Sequence, residues 1–506
     1  MTRKAAVAEV RDAEVTIIGG GAVGCAVAYV LARAGYRDIQ VLEQGELAGA
    51  TSGQAAGLVG QVRASKERCR LAMASVAQYS RIEQETGFTA DWRQTGSVRI
   101  ALTAQRAAEF GVLAEVARSA GLEVEFLTAA RLAELCPMPD TTGVTAALWC
   151  PADGYLQPNS LVMAYARAAR DRGVTFATHT TVTGLQVTGG SVSGVVAGGR
   201  AVATDMVINA AGPWAGAVAS LAGLHLPVVP VRHEYFVTQA VAGWHASLPV
   251  LRIPDIRLYA RAEGHAILCG GWEPDGLSLD PREVTIGQPL TVSPDWDVLS
   301  GFARDLARFA PAVTQTGVRE VFRGFPAFSP DGRFIVGPVP APRGFVMAAA
   351  CNAHGVSGSA GLAEHVLESL QPDPSPYVQS LSPTRYQPPT WDWNTARAQA
   401  QQIYENYYSL PSRPPGDRPR QLRANPSTPV DIQAIVTLGA RPAGSRASAI
   451  RTASPAPAAR NPCRRSARYP GSSRSANSVA RLARVCTASV SPAARRVFSL
   501  CGPGTA

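Results

Sequence analysis

Val15-Thr16-Ile17-Ile18 is an apolar, β-branched run of the kind that makes a buried strand, and it stops at the small residues Gly19-Gly20-Gly21-Ala22-Val23-Gly24. A helix is predicted over residues 22–34, ended by Gly35, and Ile39-Gln40-Val41-Leu42 reads as a second strand that delivers Glu43. Helical spacing returns over 65–86, with Leu71, Val76, Tyr79 and Ile82 apolar. A strand pattern follows over 91–103, then helices over 104–120 and 129–135, until Cys136-Pro137-Met138-Pro139 breaks the second. A turn at 151–158 precedes a helix over 159–172. Residues 174–177 and 182–185 read as strands paired with 192–196, and Met206-Val207-Ile208-Asn209 as a buried strand ending in Ala210-Ala211-Gly212. Residues 227–287 are strand-rich and aromatic, and a helix is expected over 293–310. Finally the strand 344–350 runs into the glycine-rich loop 351–361, which opens a helix through Leu370; 391–408 is patterned as one amphipathic helix.

The first of these stretches carries a specific chemistry. Gly19, Gly21 and Gly24 satisfy G-x-G-x-x-G between a strand and a helix: the first allows the tight turn, the second the approach of a pyrophosphate, the third close packing of helix on sheet. The helix then points its amides, beginning at Ala22 and Val23, toward that pyrophosphate. Glu43, nineteen positions after Gly24, is placed to accept ribose hydroxyls, and an acid there argues against a 2′-phosphate. The small-residue loop 47–57, with Thr51 and Ser52, suits contact with phosphate and cofactor. Ala211 and Gly212 return the chain to the nucleotide, because only small side chains let backbone lie against it. At this point a flavin or a nicotinamide dinucleotide both fit.

Composition narrows the classes. A hydrophobic fraction of 46% over 506 residues supports a globular chain of two or three folding units. The net charge of +10 would suggest nucleic acid, but from Pro411 onward there are sixteen Arg, no Lys and two acids, while the rest holds 32 basic and 36 acidic residues. The tail 411–506, sparse in apolar residues and without aromatic interleaving, is expected to be disordered. It reads as an unselected extension rather than a nucleic-acid arm, and a frame change near Pro411 that replaced a C-terminal domain would account for it. Nine Cys without metal-ligand spacing predict reduced thiols, no metal and a cytoplasmic protein. No apolar run approaches the roughly eighteen residues of a membrane span, and the leader 1–13 is too polar for a signal peptide.

Taken together, Ile18-Gly19-Gly20-Gly21-Ala22-Val23-Gly24-Cys25, Ala55-Ala56-Gly57-Leu58, Pro151-Ala152-Asp153-Gly154, Asn209-Ala210-Ala211-Gly212-Pro213-Trp214, His233-Glu234-Tyr235, Ser329-Pro330-Asp331-Gly332 and Asn352-Ala353-His354-Gly355 resemble the D-amino-acid-oxidase-like flavoproteins, and within them the sarcosine and dimethylglycine dehydrogenases and oxidases. The resemblance implies an α/β chain, α+β when taken whole: a Rossmann-like FAD-binding domain with an interleaved antiparallel-sheet substrate domain. The expected FAD segments are 14–90, 148–225 and 318–371, the substrate segments 91–147 and 226–317, and 372–410 a linker with a helix. It further implies FAD along the first sheet and oxidation of a C–N bond in a small secondary or tertiary amine such as sarcosine or dimethylglycine. Oxygen or an electron-transfer protein would take the electrons, with neither membrane nor nucleic acid as partner.

By position, the resemblance assigns cofactor contacts to Gly19, Gly21, Ala22, Val23, Gly24, Glu43, Gln44, Thr51, Ser52, Ala55, Ala56, Gly57 and Leu58, then to Ala211, Gly212 and Trp214, and in the last loop to Asn352, His354, Gly355, Val356, Ser357 and Gly358. It assigns the catalytic positions to His233 and Tyr259; on strand position alone these also read as a sheet-edge histidine and a core aromatic. Arg252, Arg257 and Arg323 are candidates for a substrate carboxylate. Gln54 stands where several relatives tether FAD through a histidine, and Gly324 near where monomeric sarcosine oxidases place a tethering cysteine, so noncovalent FAD is expected. D-amino acids remain alternative substrates, and a nicotinamide-dependent dehydrogenase the alternative enzyme.

Overall fold

The opening strand Val15–Ile18 lies inside a six-stranded sheet whose order is Ile335–Pro338, Phe345–Ala349, Met206–Asn209, Val15–Ile18, Ile39–Leu42, Thr175–Ala177. All neighbours are parallel except the edge strand Ile335–Pro338, which runs antiparallel to Phe345–Ala349. The computed structural model describes residues 10–136, 141–386 and 391–410, which belong to one compact unit. The expected break at Pro137-Met138-Pro139, the leader before Val10 and the tail from Pro411 lie outside the described residues.

Helix Ala22–Arg33 is buried from Ala22 through Ala32, so its small residues serve packing on every side rather than one stripe. It rests on helices Pro158–Arg170 and Ser359–Ser369. A Cβ on Gly24 would collide with the carbonyl of Gly19, so this glycine sets the closeness of helix to strand. Helix Lys66–Thr86 starts where Ser65 Oγ accepts from Arg68 N (3.3 Å) and ends at Gly87, in the left-handed region.

The second sheet has eight strands in the order Val318–Gly324, His233–Ala240, Ala266–Gly271, Leu258–Glu263, Val250–Ile253, Ser97–Ala101, Ala146–Cys150, Glu125–Phe126. The resemblance implied an antiparallel sheet. One pair departs from it, Val250–Ile253 running parallel to Ser97–Ala101, because these strands come from segments about 150 residues apart and a long connection frees them from the hairpin constraint. Ala146–Cys150 and Val318–Gly324, at the margins of expected FAD segments, pair in this sheet. The strand expected over 91–103 contracts to Ser97–Ala101, with Arg93 making only an isolated bridge to Tyr155. The helix expected over 293–310 is Trp296–Ala307, capped by Asp295, whose carboxylate accepts from Val298 N at 3.3 Å.

Beyond the second glycine-rich loop, the segment expected as a linker with a helix, patterned over 391–408, forms helix Trp393–Glu405. Its buried residues Ala396, Ala400 and Tyr404 are four apart, on one face, and pack with Val229, Val231, Trp272 and Phe328, against the short antiparallel pair Val229–Pro230 and Ala327–Phe328.

Candidate active site

Both sheets contribute to one elongated cavity. At one end lie Gly19, Gly21, Ala22 and Val23 of the first turn with Glu43 and Gln44; along its length run Thr51, Ser52, Ala55, Ala56, Gly57 and Leu58 opposite Ala211, Gly212 and Trp214. At the other end stand His233, Tyr259 and Trp272 with His354, Gly355, Val356 and Ser357. Three sequence-assigned residues stand behind this wall. Gly24 packs helix on strand, and Gly358, where a Cβ would press on Leu71, precedes the last helix. Asn352 is buried, accepting from Ser329 N (3.1 Å) and donating to the carbonyl of Ala350 (2.6 Å), so it shapes the loop that carries His354.

At the glycine end, Glu43 accepts from Gly20 N (2.6 Å) and Gly45 N (2.8 Å), which fixes its carboxylate beside the turn. Ser52 Oγ accepts from Ala22 N (2.9 Å), the first amide of the helix. The middle loop is held from the second sheet: Tyr235 donates to the carbonyl of Ala55 (3.1 Å), Arg261 Nε to that of Ala56 (2.8 Å), and Thr51 to that of Phe325 (3.1 Å). A cavity with backbone turns at one end and aromatic, imidazole and guanidinium groups at the other fits a flavin dinucleotide along the first sheet. Gln54 and Gly324 adjoin each other on its wall, and neither has a nucleophilic side chain. Cys351 also reaches it, but burial pushes its thiol up to about 12, so it is protonated near neutrality.

The far end is defined by cross-strand pairing. Tyr259 lies opposite Arg252 on one side and Gly270 on the other, so Arg252 and Tyr259 share a face. Gly270 leaves the space that the Tyr259 ring crosses; a Cβ there would strike the phenol. Tyr259 Oη lies 2.7 Å from His233 Nε2. Burial, with Arg232 adding to it, pushes the His233 imidazole down to about 4, leaving it neutral. His354 is driven well below its ordinary value by burial, then by Arg63. Its Nδ1 lies 2.8 Å from the carbonyl of Asn352, which assigns the hydrogen to Nδ1 and leaves Nε2 to accept from Tyr407 Oη at 3.1 Å.

Cationic charge gathers at this end without acid partners. Arg63 and Arg252 line the cavity and Arg99 lies behind them. Arg252 donates to Tyr408 Oη (3.2 Å), Arg99 and Arg63 to the carbonyl of Val62 (2.9 and 3.4 Å), and none of the three forms an ion pair among the described residues. The Nε atoms of Arg99 and Arg252 are buried with no hydrogen-bond partner. Asp153, the nearest acid by charge, is committed to Gln61 N (2.7 Å) and Ser97 Oγ (2.5 Å). Burial, together with Arg252 and Arg99, pushes Arg63 down to about 10. Of the carboxylate candidates, only Arg252 reaches the cavity; Arg257 and Arg323 do not line it.

Sequence reading missed Arg63, Trp272, Tyr404, Tyr407 and Tyr408. Tyr407 stacks on Trp272 (centroids 3.8 Å apart, 9° between planes) and lines the cavity. The available signal was the aromatic cluster Tyr404-Glu405-Asn406-Tyr407-Tyr408 in a segment otherwise poor in core residues. No group of three or more His, Cys, Asp or Glu able to hold a metal occurs among the described residues, and no helix there is long and apolar enough to cross a membrane.

Comparison with known proteins identifies the family. The family model described as "FAD dependent oxidoreductase" (DAO) matches residues 14–369. The 4-methylaminobutanoate oxidase (formaldehyde-forming) of Paenarthrobacter nicotinovorans is 31% identical over 352 residues, covering 70% of this chain and 43% of that protein. Mitochondrial dimethylglycine dehydrogenase of Rattus norvegicus is 30% identical over 405 residues, 78% of this chain and 47% of its own length. The chain thus spans less than half of these relatives. Among solved structures, L-proline dehydrogenase from P. horikoshii superposes with a TM-score of 0.68 at 22% identity, covering 75% of this chain and 98% of that one, which supports the fold.

Proposed function

The chain belongs to the DAO family of FAD-dependent oxidoreductases, and from that premise we propose that it oxidises the C–N bond of a small N-methylated amino acid. One arrangement carries the reading: the far end of the cavity sets two guanidiniums without acid partners, Arg63 and Arg252, beside the neutral His233–Tyr259 pair. That suits the two ends of a zwitterion, a carboxylate at the arginines and an amine at the tyrosine. When bound, FAD would supply the hydride acceptor for the carbon beside nitrogen, and the iminium so formed would take water to give amine and aldehyde. The chain's own part is to hold the carboxylate, to accept a hydrogen bond from the substrate nitrogen at Tyr259 Oη, and to keep the reacting carbon away from bulk water.

The six-stranded sheet and its loops would hold the cofactor and the eight-stranded sheet the substrate, with Gln54, Gly324 and the protonated Cys351 favouring noncovalent FAD. The unpaired thiols of the described residues favour a cytoplasmic location. The test is anaerobic mixing of the full-length, FAD-loaded protein with sarcosine, dimethylglycine, 4-methylaminobutanoate and D-alanine. Bleaching of the flavin by an N-methylated acid is the expected result. Bleaching by D-alanine alone would replace this reading with D-amino-acid oxidation.

A further inference from the structure

Tyr404 lies outside the stretch matched by the family model, yet its hydroxyl sits between the cavity histidine and a buried carboxylate. Its ring is fully buried, edge-on to Phe328 (5.7 Å between centroids) and tilted on Trp272 (5.1 Å), while Gly276 leaves room for it. The hydroxyl is 3.2 Å from His233 Nδ1 and hydrogen-bonded to Glu273 Oε2. The other oxygen of Glu273 accepts from Arg232 (3.3 Å), which also pairs with Asp295 (3.1 Å) and approaches Glu234 (3.6 Å). Burial raises both Glu234 and Glu273; Glu234 goes up to about 7, while at Glu273 the hydrogen bond from Tyr404 and the charge and hydrogen bond of Arg232 oppose the rise, so Glu234 is the member of this cluster best able to carry a proton. Glu273, paired with Arg232, is the acceptor for Tyr404.

We infer that Tyr404 is a positioning residue that fixes His233 with its hydrogen on Nδ1, turning the lone pair of Nε2 toward Tyr259 and the cavity. The donor order follows from the acceptor at the far end: a Glu273 carboxylate can only accept, so Tyr404 donates to it and its oxygen accepts from His233 Nδ1–H. His233 Nε2 then accepts from Tyr259. Tyr259 Oη is left with lone pairs for the substrate. Building on the proposed amine site, Tyr259 Oη accepts a hydrogen bond from the substrate nitrogen while it donates its own hydrogen to Nε2 of the neutral His233, so the phenol oxygen is held facing the amine. The charged and titratable groups around this ring are Arg232, Tyr259, Tyr404 and Glu273, with Glu234 and Asp295 behind Arg232.

The experiment is long-range ¹⁵N NMR of histidine-labelled full-length holoenzyme, with Tyr404→Phe beside wild type and His233→Asn to assign the signal. Wild type is expected to show hydrogen on Nδ1 and a bare Nε2. Y404F is expected to move hydrogen to Nε2, and its kcat with an N-methylated acid to fall by about 10- to 100-fold with KM changed less than about threefold, the scale of losing a histidine's orienting partner. Glu273→Gln, which keeps an acceptor oxygen for Tyr404, should retain the wild-type tautomer. A wild-type ring with hydrogen on Nε2, or a Y404F ring identical to wild type, would overturn the inference. Absence of flavin bleaching by every N-methylated acid would instead sink the proposed function, and the tautomer would still decide the role of Tyr404.

Discussion

Arg252→Met separates binding from stability. In the free protein the Arg252 guanidinium is buried, donates to Tyr408 Oη at 3.2 Å, leaves Nε without a partner, and shares its surroundings with Arg63 and Arg99 without forming an ion pair. Burying such a cation without an acid costs free energy, and replacing it by an apolar side chain of similar length removes that cost. A bound carboxylate would turn the same group into a charge-assisted pair, which contributes about 1.5–3 kcal/mol. Losing it raises KM by roughly 10- to 150-fold, since each 1.4 kcal/mol is a factor of ten. The expected signature is therefore opposite in sign for two assays: KM for the N-methylated acid rises by one to two orders of magnitude in steady-state kinetics, while the melting temperature holds or increases. Arg252→Lys, keeping charge but not the planar fork, should fall between. A KM within twofold of wild type, or a melting temperature lowered by more than about 3 °C, a loss of about 1 kcal/mol or more, would refute the reasoning by making Arg252 a structural residue.

The depressed His233 value gives a pH prediction: folded protein stays unprotonated at this ring down to about pH 4, while the unfolded chain takes up a proton near 6.5, so its contribution is complete above 6.5 and is lost as pH falls toward 4. Denaturant midpoints at pH 7 and pH 5 should differ less in His233→Asn than in wild type; an equal difference would argue against a buried neutral imidazole. Gly24→Ala drives a methyl into the Gly19 carbonyl, so a loss of about 1–3 kcal/mol in stability and weaker FAD retention are expected from thermal melts and flavin fluorescence. Glu43→Gln, exchanging a carboxylate held by two backbone amides for an amide, should weaken FAD binding by about tenfold in a fluorescence titration while leaving substrate KM unchanged. Acid precipitation should leave the pellet colourless, with all flavin in the supernatant; yellow protein would mean a covalent tether.

Much of this molecule is readable along the chain. The strand Val15–Ile18, the glycine turn, the helix Ala22–Arg33 and the acid Glu43 are local, each set by β-branching, backbone freedom or helix spacing within thirty residues, and the structure has them where periodicity put them. Motifs far apart in sequence turn out to meet: Asp153 ties Gln61 to Ser97, and Asn352 ties Ser329 to the loop of His354. The likeness to a family could place such residues at the site, but not say which face the cavity and which, like Asn352, stand behind it, because the same polar residue serves either purpose.

Short-range geometry and hydrophobic period dictate the nucleotide-binding unit and the order of its segments along the chain. Which strands of the second sheet run parallel, which arginines lie near one another without acids, and how the helix expected within the linker, with the turn after it, brings Tyr404 to His233 and Tyr408 to Arg252 depend on the tertiary fold. These contacts join residues 150 or more positions apart, or fix the direction of a hydrogen bond, and neither quantity leaves a periodic trace in the chain.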